Sequence, residues 1–194
     1  MDFFDFLEEA RKLKRLKRTG WVLKGVAAPE SVADHSFMLA VLAYLYSKNL
    51  HLDTDKCVKL ALVHDIGEAF SGDIPDRARD GGHSVLLAKK MEMEAAGMER
   101  MLSLLPEPLA GEVSGLWKEF TERKTGEAQL VRDLDKLEMC MQALEYAKAE
   151  KNKNKFAEFF DDGSLNIKTP AIRQIFEKVH ADFKLIAEKN RDDI

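Results

Sequence analysis

The sequence predicts an all-α, single-domain helical bundle, and three observations carry that reading. Between turn signals, apolar residues recur at i, i+3, i+4 and i+7 in nearly every segment. No run alternates apolar and polar residues between hairpin turns, so strands are not expected. The 194 residues, 45% of them hydrophobic, suffice for one sizeable core, because a domain takes roughly 100–200 residues.

The first helix is expected over residues 2–18, with Phe3, Phe6, Leu7, Ala10, Leu13 and Leu16 as its stripe and Thr19-Gly20 as its stop. A loop follows through Lys24-Gly25 to Pro29. Ser31-Val32-Ala33-Asp34 reads as a capping box, which opens a second helix and puts His35 in its first turns. The third helix, from about Asp55 to Ala69, is apolar on most sides through Val58, Leu60, Ala61, Leu62 and Val63 and is expected to be buried. After the turns at Gly72-Asp73-Ile74-Pro75 and Gly81-Gly82, a Met- and Leu-rich helix is expected over 83–105, stopped by Pro106 and Pro108. Helices over about 108–123 and 125–150 follow, then the polar stretch Lys151–Lys155 and a last helix from Pro170. No internal repeat or linker separates two domains, and the single domain is taken as residues 1–194.

Charge is balanced, with 30 basic against 34 acidic residues, so no strong field exists to hold a nucleic-acid backbone or an anionic membrane. A small-molecule partner is expected instead. The basic run Arg11–Arg18 is interrupted by Leu13 and Leu16 at helical spacing and reads as a solvated helix face. Cys57 and Cys140 sit in apolar helical patterns, the reading of buried thiols in a reducing compartment. With no signal peptide and no apolar run near the roughly 20 residues of a membrane helix, a cytoplasmic protein is expected.

The chemistry is concentrated in His64-Asp65, two ionisable neighbours in an apolar helix, where burial is costly without a partner or a metal. Alone the dipeptide is weak evidence. His35 lies 29 residues upstream, and Asp133 and Asp135 lie about 70 residues downstream on a helix that otherwise packs leucines. Two imidazoles with carboxylates make a mixed N/O set suited to a divalent ion such as Mn²⁺, Co²⁺, Fe²⁺ or Ni²⁺. Asp133 and Asp135 point about 200° apart on a helix, so only one can face such an ion. Single histidines at 51, 83 and 180 read as surface or capping groups, and Trp117 and the methionines from Met91 to Met101 as packing.

The order His35, His64-Asp65 and a distant Asp resembles the H…HD…D signature of the HD superfamily of metal-dependent phosphohydrolases. Pro29–Ser36, Leu62–Glu68, Gly72–Pro75 and Arg18-Thr19-Gly20-Trp21 are similar to the 5′-deoxynucleotidase branch of that superfamily, over about residues 7–180. The resemblance implies one divalent metal, Mn²⁺, Co²⁺ or a similar ion (Mg²⁺ and Ni²⁺ also being candidates), held by His35, His64, Asp65 and Asp135. Asp135 is preferred because it directly precedes Lys-Leu-Glu-Met. Glu68 and Asp73 match acidic active-site residues: Glu68, one helical turn beyond His64, to hold or deprotonate the attacking water, and Asp73 to position the substrate or protonate the leaving oxygen. Arg18 and Trp21 match substrate-holding residues, the guanidinium suited to phosphate and the indole to base or sugar.

The implied reaction is removal of the 5′-phosphate from a deoxyribonucleoside 5′-monophosphate by a homodimer. Hydrolysis of nucleoside triphosphates or cyclic nucleotides, or a non-catalytic metal- or nucleotide-binding regulator, are the alternatives.

Overall fold

The computed structural model describes residues 3–75 and 87–189, and among them the regular elements are helices. In chain order they are α1 (Phe4–Ala10), α2 (Thr19–Leu23), α3 (Val32–Asn49), α4 (Thr54–Val63) and α5 (Glu68–Ser71). These are followed by α6 (Leu87–Leu102), α7 (Leu109–Glu122), α8 (Gly126–Ala149), α9 (Ala157–Asn166) and α10 (Pro170–Lys189). Short 3₁₀ turns at Arg11–Lys14 and Lys153–Phe156 follow α1 and precede α9. The all-α expectation holds.

The chain forms two compact units that interleave in sequence. One takes residues up to Phe37 together with Lys59–Thr121, and the other takes Met38–Val58 and the residues from Glu122 onward.

In the first unit the expected 2–18 helix is shorter than its apolar stripe. Backbone bonds from Arg18 N to Glu30 O (3.1 Å) and from Val32 N to Leu16 O (2.9 Å) hold the chain around Lys17 in an extended bridge with Ser31. The Arg18 amide and the Leu16 carbonyl are then lost to an α-helix, which gives way to the 3₁₀ turn. The short α2 arises where a loop is expected, and its Trp21 is buried. The capping box forms as the sequence dictates. The Ser31 backbone N–H and hydroxyl donate to Asp34 Oδ2 at 2.8 and 2.7 Å, and Asp34 N donates back to the hydroxyl at 3.2 Å. The two serine bonds hold the Asp34 carboxyl below its ordinary pKa.

The expected 55–69 helix is also divided. It ends at Val63, residues 64–67 form tight turns, and Glu68 opens α5. The cause is a close crossing with α6. A Cβ on Gly67 would lie 2.9 Å from Met98 N, and one on Gly97 would lie 2.5 Å from Gly67 O, so both positions exclude any side chain. Phe70 of α5 carries the Arg100 guanidinium over its ring at 4.1 Å, with Lys12 Nζ at 5.4 Å. The α6 helix is first described at Leu87; its expected start, like His83, lies outside the described residues.

In the second unit α8 is buried along most of its circumference, through Leu130, Val131, Leu134, Leu137, Cys140, Ala143 and Ala147. Thr125 caps it by accepting Ala128 N at 3.2 Å. Phe160 of α9 stacks on Phe183 of α10 with centroids 4.1 Å apart and on His180 at 5.4 Å. His180 is thus a packing residue rather than a capping one. Gly163 lets α9 close on α10, since a Cβ there would lie 2.7 Å from the Phe176 ring and 2.8 Å from Cys140 Sγ. Cys57 and Cys140 are both free and fully buried. No helix among the described residues is long and apolar enough to cross a membrane.

Candidate metal centre

In the first unit α3, the end of α4 and the turn before α5 bring His35, His64, Asp65 and Glu68 together. His35 is 0% exposed and His64 5%. Their rings meet edge-on, with centroids 5.4 Å apart and planes at 64°, and the Phe120 ring also packs on His64, tilted by 59° with centroids 5.2 Å apart. His64 Nδ1 lies 2.8 Å from the Ala61 carbonyl, which assigns the ring proton to that nitrogen. Nε2 then presents its lone pair to Asp65 Oδ2 at 2.9 Å, and it is buried without a hydrogen bond. With the ring protonated this contact is an ion pair; with the ring neutral two lone pairs face each other, and a metal cation can take the place of the proton. The donor set therefore fits a divalent ion, with imidazole nitrogen and carboxylate oxygen as ligands.

Asp65 is an anion in this setting. Burial opposes its charge, but His64, Arg18 and His35 outweigh it and drive the carboxyl far below its ordinary pKa. Arg18, the residue before α2, donates from Nη1 to Asp65 Oδ2 at 3.0 Å. Glu68 differs. It is 8% exposed, its Oε2 has no hydrogen-bond partner, and burial followed by the charges of Asp65 and Asp73 pushes its pKa well above the ordinary carboxyl value, with Arg18 opposing. Glu68 and Asp65, three residues apart, thus have their carboxyl pKa values pushed in opposite directions, a separation that acid–base chemistry uses. Because the helix stops at Val63, Glu68 reaches this region from the first turn of α5 and not from one helical face shared with His64.

Asp73 closes the same loop. The Thr19 N–H donates to its carboxylate, and the Thr19 hydroxyl donates to its backbone oxygen at 2.7 Å. The Gly72-Asp73 turn is thereby fastened to the start of α2, next to Arg18. Gly72 has φ +75°, a conformation that glycine adopts without strain. Trp21 is 1% exposed, and its indole N–H donates to Glu30 Oε1 at 2.8 Å. In this conformation the ring offers no face to a nucleotide.

Asp133 and Asp135 belong to the second unit and are separated there by function. Asp133 is 1% exposed, and its carboxylate accepts Gln129 Nε2 (2.7 Å), Lys168 N (3.0 Å) and Thr169 N (2.6 Å). It fastens the two residues ahead of α10 to α8. Asp135, also buried, lies on another face of α8 with Arg132 Nη1 3.9 Å away. Sequence reasoning passed over Glu30 and Glu138. Glu138 is a buried carboxylate three residues beyond Asp135, hence on a neighbouring face of α8, and a glutamate among leucines at that spacing is the signal that finds it. Glu30 stands five residues before His35, inside the Pro29–Ser36 motif.

Fold and site together define a helical protein with a buried imidazole–carboxylate cluster built for a divalent cation. The chain belongs to the HD domain family, whose model matches residues 10–179. It is 37% identical to human 5′-deoxynucleotidase HDDC2 over 177 residues, 91% of this chain and 84% of that protein. It is 31% identical to the 5′-deoxynucleotidase hdd1 of Schizosaccharomyces pombe over 172 residues, 87% of this chain and 83% of that protein. Among solved structures it is similar to a conserved hypothetical protein from Pyrococcus furiosus, with a TM-score of 0.72 and 34% identity over 91% of this chain and 98% of that one.

Proposed function

We propose that this chain is a metal-dependent 5′-deoxynucleotidase, releasing phosphate from deoxyribonucleoside 5′-monophosphates. The observation that carries the reading is the buried His35–His64–Asp65 cluster, with His64 Nε2 facing a carboxylate oxygen at 2.9 Å, in a chain similar to proteins named 5′-deoxynucleotidase over most of its length. His35, His64 and Asp65 are the proposed ligands from the first unit, and Asp135 is the proposed fourth, on the strength of its place before Lys-Leu-Glu-Met and the commitment of Asp133 to α10. The two units are taken as one HD domain, in line with a family match that runs through both.

A bound divalent ion supplies acidified water near neutral pH and neutralises phosphate charge. The chain's own groups do the rest. Arg18 holds Asp65 at 3.0 Å, and a guanidinium is the group suited to pair with phosphate oxygens. Glu68, its pKa raised by burial and by Asp65 and Asp73, is placed to exchange a proton with the attacking water. Asp73, anchored on Thr19, orients the substrate or protonates the leaving 5′-oxygen. Trp21 contributes from within the wall that carries Arg18. Mn²⁺ or Co²⁺ is the proposed ion, and the cytoplasm the proposed compartment, in keeping with two buried free thiols.

A homodimer is proposed as well. Phe37, Val41, Tyr44 and Leu45 form an exposed apolar stripe along α3, with Phe37 65% exposed, the kind of surface that a second copy covers.

Phosphate release from a panel of deoxy- and ribonucleoside 5′-monophosphates, triphosphates and cyclic nucleotides, with Mn²⁺ or Co²⁺, tests the reading. Turnover confined to monophosphates and faster on the deoxy series is expected, with loss of about 100-fold or more in His64→Ala. Absence of release from every monophosphate, or undiminished turnover in His64→Ala, overturns it.

A further inference from the structure

Glu30 has two attachments and a third neighbour. Its backbone oxygen accepts Arg18 N at 3.1 Å, and its Oε1 accepts the Trp21 indole N–H at 2.8 Å. A carboxylate oxygen of Glu30 also lies within 4.8 Å of a ring nitrogen of the fully buried His35. The carboxylate therefore sits between an indole and an imidazole, on a backbone pinned to the residue that opens α2.

Histidines that ligate metals give their other ring N–H to a carboxylate or a carbonyl, which fixes tautomer and ring orientation and raises ligand basicity. His64 has such a partner in the Ala61 carbonyl. We propose that Glu30, steadied by Trp21, is the positioning carboxylate of His35, so that Trp21 serves the metal centre through Glu30 instead of stacking on the nucleotide. The burial of Trp21 and the direction of its N–H both follow from this role. The inference rests on His35 being a metal ligand.

Isothermal titration of the full-length chain with Mn²⁺ or Co²⁺, and the visible spectrum of the Co²⁺ form, read the effect directly. Glu30→Ala is expected to weaken metal binding by about 10–100-fold, and Glu30→Gln by less, since losses of this size follow removal of such partners. Trp21→Phe keeps the ring and removes the N–H. It is expected to weaken metal binding several-fold and alter the Co²⁺ spectrum. Circular dichroism checks folding, and the isosteric Glu30→Gln decides the matter if Glu30→Ala does not fold. Metal affinity within about two-fold of wild type in both folded Glu30 variants overturns the proposal, as does unchanged metal affinity in Trp21→Phe. Failure of the wild-type chain to bind metal would instead remove the ligand assignment of His35 on which it rests.

Discussion

Asp133 and Asp135 stand two residues apart on one helix, and their carboxylates face different partners. Asp133 accepts three hydrogen bonds, two of them from the amides ahead of α10. Asp133→Ala leaves buried donors without a partner, so a stability loss of about 1–3 kcal/mol is expected in thermal or denaturant unfolding of the metal-free chain. Asp135→Asn is expected to do the reverse, with little change in metal-free unfolding and a large loss of metal affinity by titration. Glu68 gives a pH signature. Its pKa is raised in the folded chain by burial and by Asp65 and Asp73. Above the unfolded-state carboxyl pKa of about 4.3 the native state therefore binds more protons than the unfolded one, and stability falls as pH rises toward the folded pKa. Metal-free Glu68→Gln should consequently melt higher than wild type at pH 8, with the gap closing toward pH 5. Asp65 works in the opposite sense, since its lowered pKa stabilises the fold above the ordinary carboxyl range and that stability is lost on acidification. A Glu68→Gln gap that does not depend on pH would show that the carboxyl is not held neutral.

At the scale of elements, the crossing of Gly67 and Gly97 fixes where α4 ends and where Glu68 begins. Gly97→Ala places a methyl 2.5 Å from a backbone oxygen, and overpacking of this kind costs about 1–3 kcal/mol. The melting temperature should fall accordingly, and because the same contact seats the His64–Glu68 turn, metal affinity should fall with it. This crossing also shows why part of the chain was hidden from sequence reading. Apolar periodicity runs on through Ile66, Ala69 and Phe70 and predicts one helix to Ala69, whereas the break is imposed by a helix distant in sequence. For the same reason the helical path ends early, because the Arg18 amide and the Leu16 carbonyl are taken by Glu30 and Val32. The short α2 and the α9 helix lack long apolar stripes and are held by tertiary contacts, Trp21 to Glu30 and Phe160 to Phe183. What local chemistry alone determines was legible. Ser31 and Asp34 cap α3, Thr125 caps α8, and leucines at helical spacing bury α8. The side chains gathered around His64 all lie in recognisable motifs, but the supporting groups do not announce themselves. Neither Glu30 nor the engagement of Asp133 can be read without knowing which backbone amides come near them.

At the scale of the whole molecule, a ligand that binds only the folded state stabilises it by an amount set by its saturation, about 2.7 kcal/mol at one hundred times Kd. Stripping the metal with a chelator is therefore expected to lower the melting temperature of the wild-type chain and to leave that of His64→Ala unchanged. An equal response in both would separate the stabilising ion from this centre. The α3 stripe makes a further expectation: wild type is expected to sediment as twice the 22.0 kDa chain, and Phe37→Glu as a single chain. The chain's two cysteines, Cys57 and Cys140, both lie in the second unit, shut away from solvent. A thiol-reactive dye added to the native protein has nothing to modify until that unit opens, so the wild-type sequence carries its own clock for unfolding. The rate of labelling, followed with and without metal, times how often the helices around α8 come apart.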